Sequence, residues 1–291
     1  MQLSILIPTH DYNAYPLVSN LHEQAEALGI HYEIILVEDG SHDPVTMIAN
    51  LKVKDLSNCK YVRQEGIGMA QTRNRMAEMA EGEWLLFIDS DAKVCSGDFI
   101  KRYLDSMDKS EVVIGGLVTP DLHLNPEVSL RYKYETEADK HRNVEERNAN
   151  PYMQFTAFNM LMRRTTFLSI LFDKDCHEYG YEDALFGVEL KKRGISVLHI
   201  DNPLIHAGID TNDVFLRKTE TSLRTLKGLK GRMLGNSRIE DAHARLQSYH
   251  LLWAMRLFHK CFSGMIKNNL LGSNPSLLWF SVYKLGYYSC L

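Results

Sequence analysis

Two stretches carry acids at spacings that suit chemistry. In LLFIDSDAKV (85–94), Asp89 and Asp91 stand one residue apart just past an apolar run; GYEDALFGVELKKRG (180–194) opens on Glu182-Asp183. Two Asp at i and i+2, where a strand gives way to a turn, can face one site. Their oxygens suit a hard divalent ion, Mg²⁺ or Mn²⁺, that completes its shell with phosphate oxygens. Asp is also favoured in turns and at helix starts, so the spacing alone is weak. Glu182 and Asp183 begin a helix, where the dipole favours acids; one is expected to anchor the loop while the other takes a proton from an incoming hydroxyl. His206, in PLIHAG, follows a strand-like run, and a neutral imidazole there suits a metal shell, although a single histidine is more often structural.

Asp39 closes VEDGS, where Gly40 permits a tight turn. Its carboxylate fits a base N–H or ribose hydroxyls, and equally an Asx turn within its own loop. GIGMAQTRNRMAE (66–78) sets two glycines and then Arg73 and Arg75 at a helix start, where backbone N–H groups and guanidinium forks favour a diphosphate. A full dinucleotide fingerprint is absent, because the third glycine is missing and the first strand has none.

These residues need a scaffold that brings them together. LSILI (3–7), YEIILVE (32–38), KYVRQ (60–64), EWLLFID (83–89) and EVVIGG (111–116) are short β-rich apolar runs, separated by helically spaced segments such as Leu17, Leu21, Ala25 and Leu28. Strands alternating with helices predict an α/β fold, with a mostly parallel sheet covered on both faces and a ligand crevice beyond the strands' carboxyl ends. Three runs end there on polar groups: Pro8-Thr9-His10-Asp11, Glu38-Asp39-Gly40-Ser41 and Asp89-Ser90-Asp91. After about residue 116 the alternation breaks down. A polar stretch (121–150) precedes the strand-like MQFTAFNMLMRR (153–164), and from about Asn212 the pattern is helical. The expected organisation is a catalytic domain over 1–210, divided into a nucleotide half (1–116) and an acceptor half (117–210), followed by a helical basic region (211–291).

The 291 residues, 45% of them apolar, suffice for a sizeable core. Five dispersed cysteines without a CxxC pair argue against a disulfide framework or zinc cage. With MQLSILIPTH reading as a strand rather than a leader, they predict a reducing, cytoplasmic setting. The net charge of −4 conceals an asymmetry: residues 211–291 carry twelve Lys and Arg against four Asp and Glu. That pattern does not suggest nucleic acid. It suits peripheral contact with the inner face of the cytoplasmic membrane, an acidic partner, or simply solvated helix faces. SYHLLWAMRLFHKCFSGMIKNNLL (248–271) interleaves aromatic and basic residues as a surface-binding helix would, and equally as a helix packed in a core or homodimer would.

PTHDY, ILVEDGS, GIGMAQTRN, FIDSDA, FTAFNMLMRR and GYEDALFGVELKKRG, in this order over about the first 210 residues, resemble the family 2 glycosyltransferases of GT-A fold. The resemblance implies a nucleotide-diphosphate-sugar donor with UDP favoured, Mn²⁺ or Mg²⁺, inversion at the anomeric carbon, and a saccharide or lipid-linked acceptor. It implies that Pro8, Thr9 and Asp11 line the nucleotide pocket, that Asp39 holds the base, and that Arg73 lies near the nucleotide. Asp89 and Ser90 would sit by the ribose and sugar, Asp91 would hold the metal with Asp89 and His206, and Asp183, beside Glu182, would match the catalytic base. Glu38 and His10 depart from the common Asp and Tyr, and no QxxRW motif is present, which favours single addition over polymerisation. Two other functions compete: a sugar-phosphate nucleotidyltransferase, which would want a more basic glycine-rich loop than PTHDYN, and a non-catalytic nucleotide-sugar-binding protein, against which the paired DSD and GYED motifs argue.

Overall fold

The computed structural model describes residues 2–122, 125–176 and 179–291. Its strands are β1 (Leu3–Thr9), β2 (Tyr32–Asp39), β3 (Cys59–Gln64), β4 (Trp84–Ile88), β5 (Ala92–Lys93), β6 (Val112–Ile114), β7 (Leu117–Val118), β8 (Asn159–Arg163), β9 (Val197–His199) and β10 (Leu204–His206). Seven form one sheet in the order β3-β2-β1-β4-β8-β6-β9, and β5-β10-β7 form a small second sheet. The pairs β1 with β2, β1 with β4, β2 with β3 and β6 with β9 are parallel. β8 runs antiparallel between β4 and β6, an exception that periodicity could not reveal.

Every residue of β1, β2 and β4 is buried, which explains why these strands read as continuous apolar runs. Alternate residues feed two cores, one on each face. Leu6, Ile35, Leu85, Phe87 and Met160 face one; Ile5, Ile7, Ile34, Leu36, Leu86 and Leu161 face the other. Each such side chain removed from water contributes about 1.5–3 kcal/mol. On the first helix, Tyr15–Leu28, Leu17, Leu21 and Ala25 are buried as expected. Leu28 is exposed, because the helix ends there and Gly29 turns left-handed.

Two expected strands are shorter than their apolar runs. The run at 111–116 yields only β6, because Gly116, at φ +91°, turns the chain into β7. In 153–164 only β8 is strand. Its first residue, Asn159, is fully buried and ties three segments together. Its Nδ2 donates to the Gly116 and Asn202 carbonyls, both at 2.8 Å, and its Oδ1 accepts from the Tyr103 hydroxyl at 2.6 Å. The polar stretch 121–150 contributes helices Ser129–Asp139 and Val144–Ala149.

The remainder is helical: Asn212–Gly228, Arg238–Ser248, Leu252–Leu270 and Leu277–Cys290. A third apolar cluster, including Leu130, Phe215, Leu216, Ile266, Leu270, Phe280 and Tyr283, packs three of these helices against Ser129–Asp139. No described helix is long and apolar enough to cross a membrane.

Candidate active site

β4 delivers the DSD acids. After Ile88 the chain turns sharply, with the Asp89 N–H donating to the Phe158 carbonyl at 3.1 Å and the Ala92 N–H returning to the Asp89 carbonyl at 3.1 Å. The helix Met69–Met79 packs alongside and buries Arg73 and Asn74, while Arg75 faces solvent. Arg73 donates from Nη2 to Asp89 Oδ1 at 2.5 Å and rests over the Phe172 ring. Its Nε and Nη1 are buried without a partner. Desolvation works against its charge, yet Asp89, Asp183 and Glu182 together hold it more firmly protonated than an ordinary Arg. For the Asp89 carboxyl the balance runs the other way. Desolvation raises it, Arg73 pulls it down, Asp91 and Asp183 raise it again, and the result is upward.

Asp91 faces His206, which β10 supplies. The Asp91 Oδ2 to His206 Nε2 distance is 3.2 Å, and Phe158 meets the imidazole edge-on. The Ala207 N–H donates to the Asp91 carbonyl at 2.9 Å, and a Cβ on Gly208 would fall on the Asp91 carboxylate, so a side chain there would push Asp91 from its place. His206 Nδ1 is buried without a partner. Asp91 and His206 thus offer two adjacent donors, with Asp89 turned to Arg73. Among the described residues no three His, Cys, Asp or Glu side chains form a metal site by themselves.

Glu182 and Asp183 open the helix Glu182–Lys192, after Tyr181 in the left-handed region at φ +67°. Asp183 Oδ2 accepts from the Ala157 N–H at 2.9 Å and from the Thr156 hydroxyl at 3.1 Å, whereas its Oδ1 is buried with no partner. One oxygen of Asp183 is therefore fixed and the other free. Burial and the Asp183 charge, against the pull of Arg73, push the Glu182 carboxyl up to about 7. A carboxyl raised in the folded state contributes stability when protonated; that contribution is whole below the ordinary carboxylate range and is lost as pH rises toward 7. Glu182→Gln, which stays neutral, should therefore gain stability relative to wild type between about pH 4.5 and 7. Urea unfolding across that range checks it, and a constant difference would show that Glu182 titrates normally.

Arg73, Asp89, Ser90, Asp91, Glu182, Asp183 and His206 line one cavity of about 890 Å³. Pro8, Thr9, Asp11 and Asp39 do not line it; Pro8 and Thr9 close β1, and Thr9, Asp11 and Asp39 bind backbone groups of the neighbouring loops. The Thr9 hydroxyl donates to the Tyr12 carbonyl at 3.1 Å. Asp11 Oδ1 accepts from the N–H groups of His42 and Asp43, both at 2.7 Å, and these bonds, Asp43 first, hold its carboxyl below the usual range. Asp39 accepts from the Ile67 and Gly68 N–H groups at 2.9 and 3.1 Å and from the Gln64 amide at 2.8 Å. The glycine-loop N–H groups expected to meet a diphosphate are thus committed to Asp39. Gly40 allows the close approach, since a Cβ there would lie 2.8 Å from Gly66 Cα.

Sequence reasoning missed Arg131, Glu135, Arg142, Arg147 and Lys218, which line the same cavity. Glu135 bridges Arg131 at 2.6 Å and Arg142 at 2.9 Å; against desolvation, these cations hold its carboxyl below its ordinary range. Lys218 donates to both Asp210 oxygens, at 2.8 and 2.9 Å. For the four residues from 131 to 147 the only available signal was the charge density of 121–150.

The family model for glycosyl transferase family 2 matches residues 4–170. The chain belongs to that family. The paired acids of its DSD and ED stretches lie in one cavity. The chain is 29% identical over 119 residues to a PGL/p-HBAD biosynthesis glycosyltransferase of Mycobacterium bovis, covering 40% of this chain and 46% of the relative. It is 31% identical over 123 residues to the poly(ribitol-phosphate) beta-glucosyltransferase of Bacillus spizizenii, covering 40% and 19%. These matches span less than half the length of either relative. S. aureus TarS 1-349, solved in complex with UDP-GlcNAc, superposes with a TM-score of 0.53 at 15% identity, covering 99% of this chain and 90% of that one, and shares the GT-A type fold.

Proposed function

We propose that the enzyme moves a sugar, with inversion, from a nucleotide-diphosphate donor, UDP favoured, to a hydroxyl of a saccharide or lipid-linked acceptor. The observation carrying this reading is Asp183: one oxygen is held by Ala157 and Thr156, and the other is buried, unpartnered and in the same cavity as Asp89 and Asp91. A base needs a fixed direction and a free lone pair, and Asp183 has both.

In this reading the acceptor hydroxyl gives its proton to Asp183 Oδ1 as its oxygen bonds to the anomeric carbon. The bond from that carbon to the diphosphate oxygen breaks on the opposite side, and a single displacement inverts the centre. Arg73 holds Asp89 in place and balances the acids around the base. Thr9, Asp11 and Asp39 preorganise the loops at the nucleotide end. Mn²⁺ or Mg²⁺ held by Asp91 and His206, with Asp89 beside them, would supply positive charge against the departing diphosphate. Asp91 and His206 fit an ion that draws its other ligands from phosphate oxygens. Residues 1–116 then carry the donor, residues 117–210 the acceptor, and 211–291 a helical layer that also lends Lys218 to the cavity wall. A cytoplasmic site of action belongs to the same reading, from the dispersed cysteines without a CxxC pair.

UDP-, GDP- and dTDP-sugars, each with Mn²⁺, Mg²⁺ or chelator, test the proposal through release of the nucleoside diphosphate. Metal-dependent turnover of a UDP-sugar is expected. Release of pyrophosphate from a nucleoside triphosphate and a sugar phosphate would instead identify a nucleotidyltransferase.

A further inference from the structure

The helix Leu252–Leu270 has a face that no described residue covers. Ile266 and Leu270 are buried in the C-terminal cluster, yet Trp253 (67% exposed), Leu257 (55%), Phe262 (43%) and Met265 (57%) are open to solvent. Trp253, Leu257 and Met265, with exposed Cys261 between the last two, follow a spacing of four residues and so form one stripe along the helix. Such a stripe rarely stays wet without a role.

What covers it is indicated by charge. After Asp241 the sequence contains no Asp or Glu through Leu291, while Arg245, Arg256, Lys260, Lys267 and Lys284 fall in the same span. Lys267 is paired with Glu220 at 2.9 Å. Arg256 and Lys260 are both exposed beside the stripe and carry no carboxylate partner among the described ion pairs; Arg256 donates only to the Ser289 carbonyl, at 2.6 Å. With His259 they line a groove of about 510 Å³, completed by Leu257, Cys290 and Leu291. Cations thus flank an apolar ridge, and the groove between them has room for a phosphate-bearing headgroup. A second copy of the chain seated symmetrically on this face would bring Arg256 and Lys260 against their own equivalents with no Asp or Glu side chain to separate them.

We propose that this face of Leu252–Leu270 docks on an anionic lipid surface, with Trp253, Leu257, Phe262 and Met265 entering the interface and Arg256 and Lys260 gripping headgroup phosphates. An aromatic and aliphatic ridge edged by cations is the arrangement that holds a helix in the interfacial plane, and each cation near an anionic leaflet adds about 5-fold to partitioning. This inference stands apart from the glycosyl-transfer chemistry, and its failure would leave that chemistry untouched.

Flotation of the full-length enzyme with phosphatidylcholine vesicles, with and without phosphatidylglycerol, tests it. Binding is expected with phosphatidylglycerol, weakened by salt, with a blue shift of the Trp253 emission that Trp253→Phe removes. Lys260→Gln should weaken partitioning about 5-fold, and Trp253→Ala with Leu257→Ala should abolish it. These side chains are exposed, so the variants should keep the wild-type melting temperature and donor turnover. Equal binding to neutral vesicles, or partitioning indifferent to these substitutions, would overturn the proposal. So would a solution dimer, seen by analytical ultracentrifugation, that the Leu257→Ala variant dissociates, since the face would then belong to a second copy.

Discussion

Asp183→Asn is expected to lower transfer by about a thousandfold while leaving the affinity for donor unchanged. The amide oxygen of Asn can take the place of Oδ2 and accept from the Ala157 N–H and Thr156 hydroxyl, so the loop stays anchored. An NH₂ group then occupies the position of Oδ1. It donates where the acceptor hydroxyl needs an acceptor, and the proton has nowhere to go. Nucleotide release under saturating donor measures the rate, and calorimetry with donor measures the affinity. A parallel loss of affinity would place Asp183 in donor binding and leave the base unassigned. Thr156→Val adds a graded check: removing one of the two anchors should reduce the rate by less than Asp183→Asn does.

Arg73→Met should destabilise the enzyme by about 3 kcal/mol, in the lower part of the range for breaking a buried ion pair. The guanidinium is almost fully buried, and its loss leaves Asp89 at the cavity floor with no cation at 2.5 Å. Asp89 keeps some contact with the open cavity, its side chain 27% exposed, which holds the penalty down. Glu182 and Asp183 lose the same opposing charge, so Glu182 should titrate still higher than about 7. The sign of the pH dependence follows. The deficit belongs to ionised acids facing no cation, so it should be full near neutral pH and shrink as the carboxyls protonate on acidification. Urea unfolding at several pH values measures it. Arg73→Lys should restore part of the stability at neutral pH, because it returns the charge without the fork. Unchanged stability in Arg73→Met would mean that Asp89 is solvated well enough to need no partner.

Much of the scaffold was readable from local pattern. The apolar runs at 3–7, 32–38 and 83–89 mark β1, β2 and β4, because a strand buried on both faces needs apolar residues at nearly every position; KYVRQ (60–64) marks β3, an edge strand that is only partly buried. The acids after β4 and at the start of Glu182–Lys192 could be singled out for the same local reason: a strand end followed by a turn, and a helix N-terminus, are set by a few neighbouring residues.

Other features came only from folding, because they depend on partners far apart in the chain. Arg73 and Arg75 look alike in GIGMAQTRNRMAE, but only Arg73 turns toward the sheet. Asn74 beside it locks that turn by pairing with Phe172, 98 residues away. Asp39 meets the Ile67 and Gly68 N–H groups only because Gly40 and Gly66 let two loops close on each other. The antiparallel course of β8 and the cationic wall from 131 to 147 have no period to betray them. Above all, which oxygen of Asp183 is free is decided by Thr156 and Ala157, 27 and 26 residues earlier. Residue type and short spacing name the groups able to do chemistry, but a lone pair is left open only by the packing of every group around it.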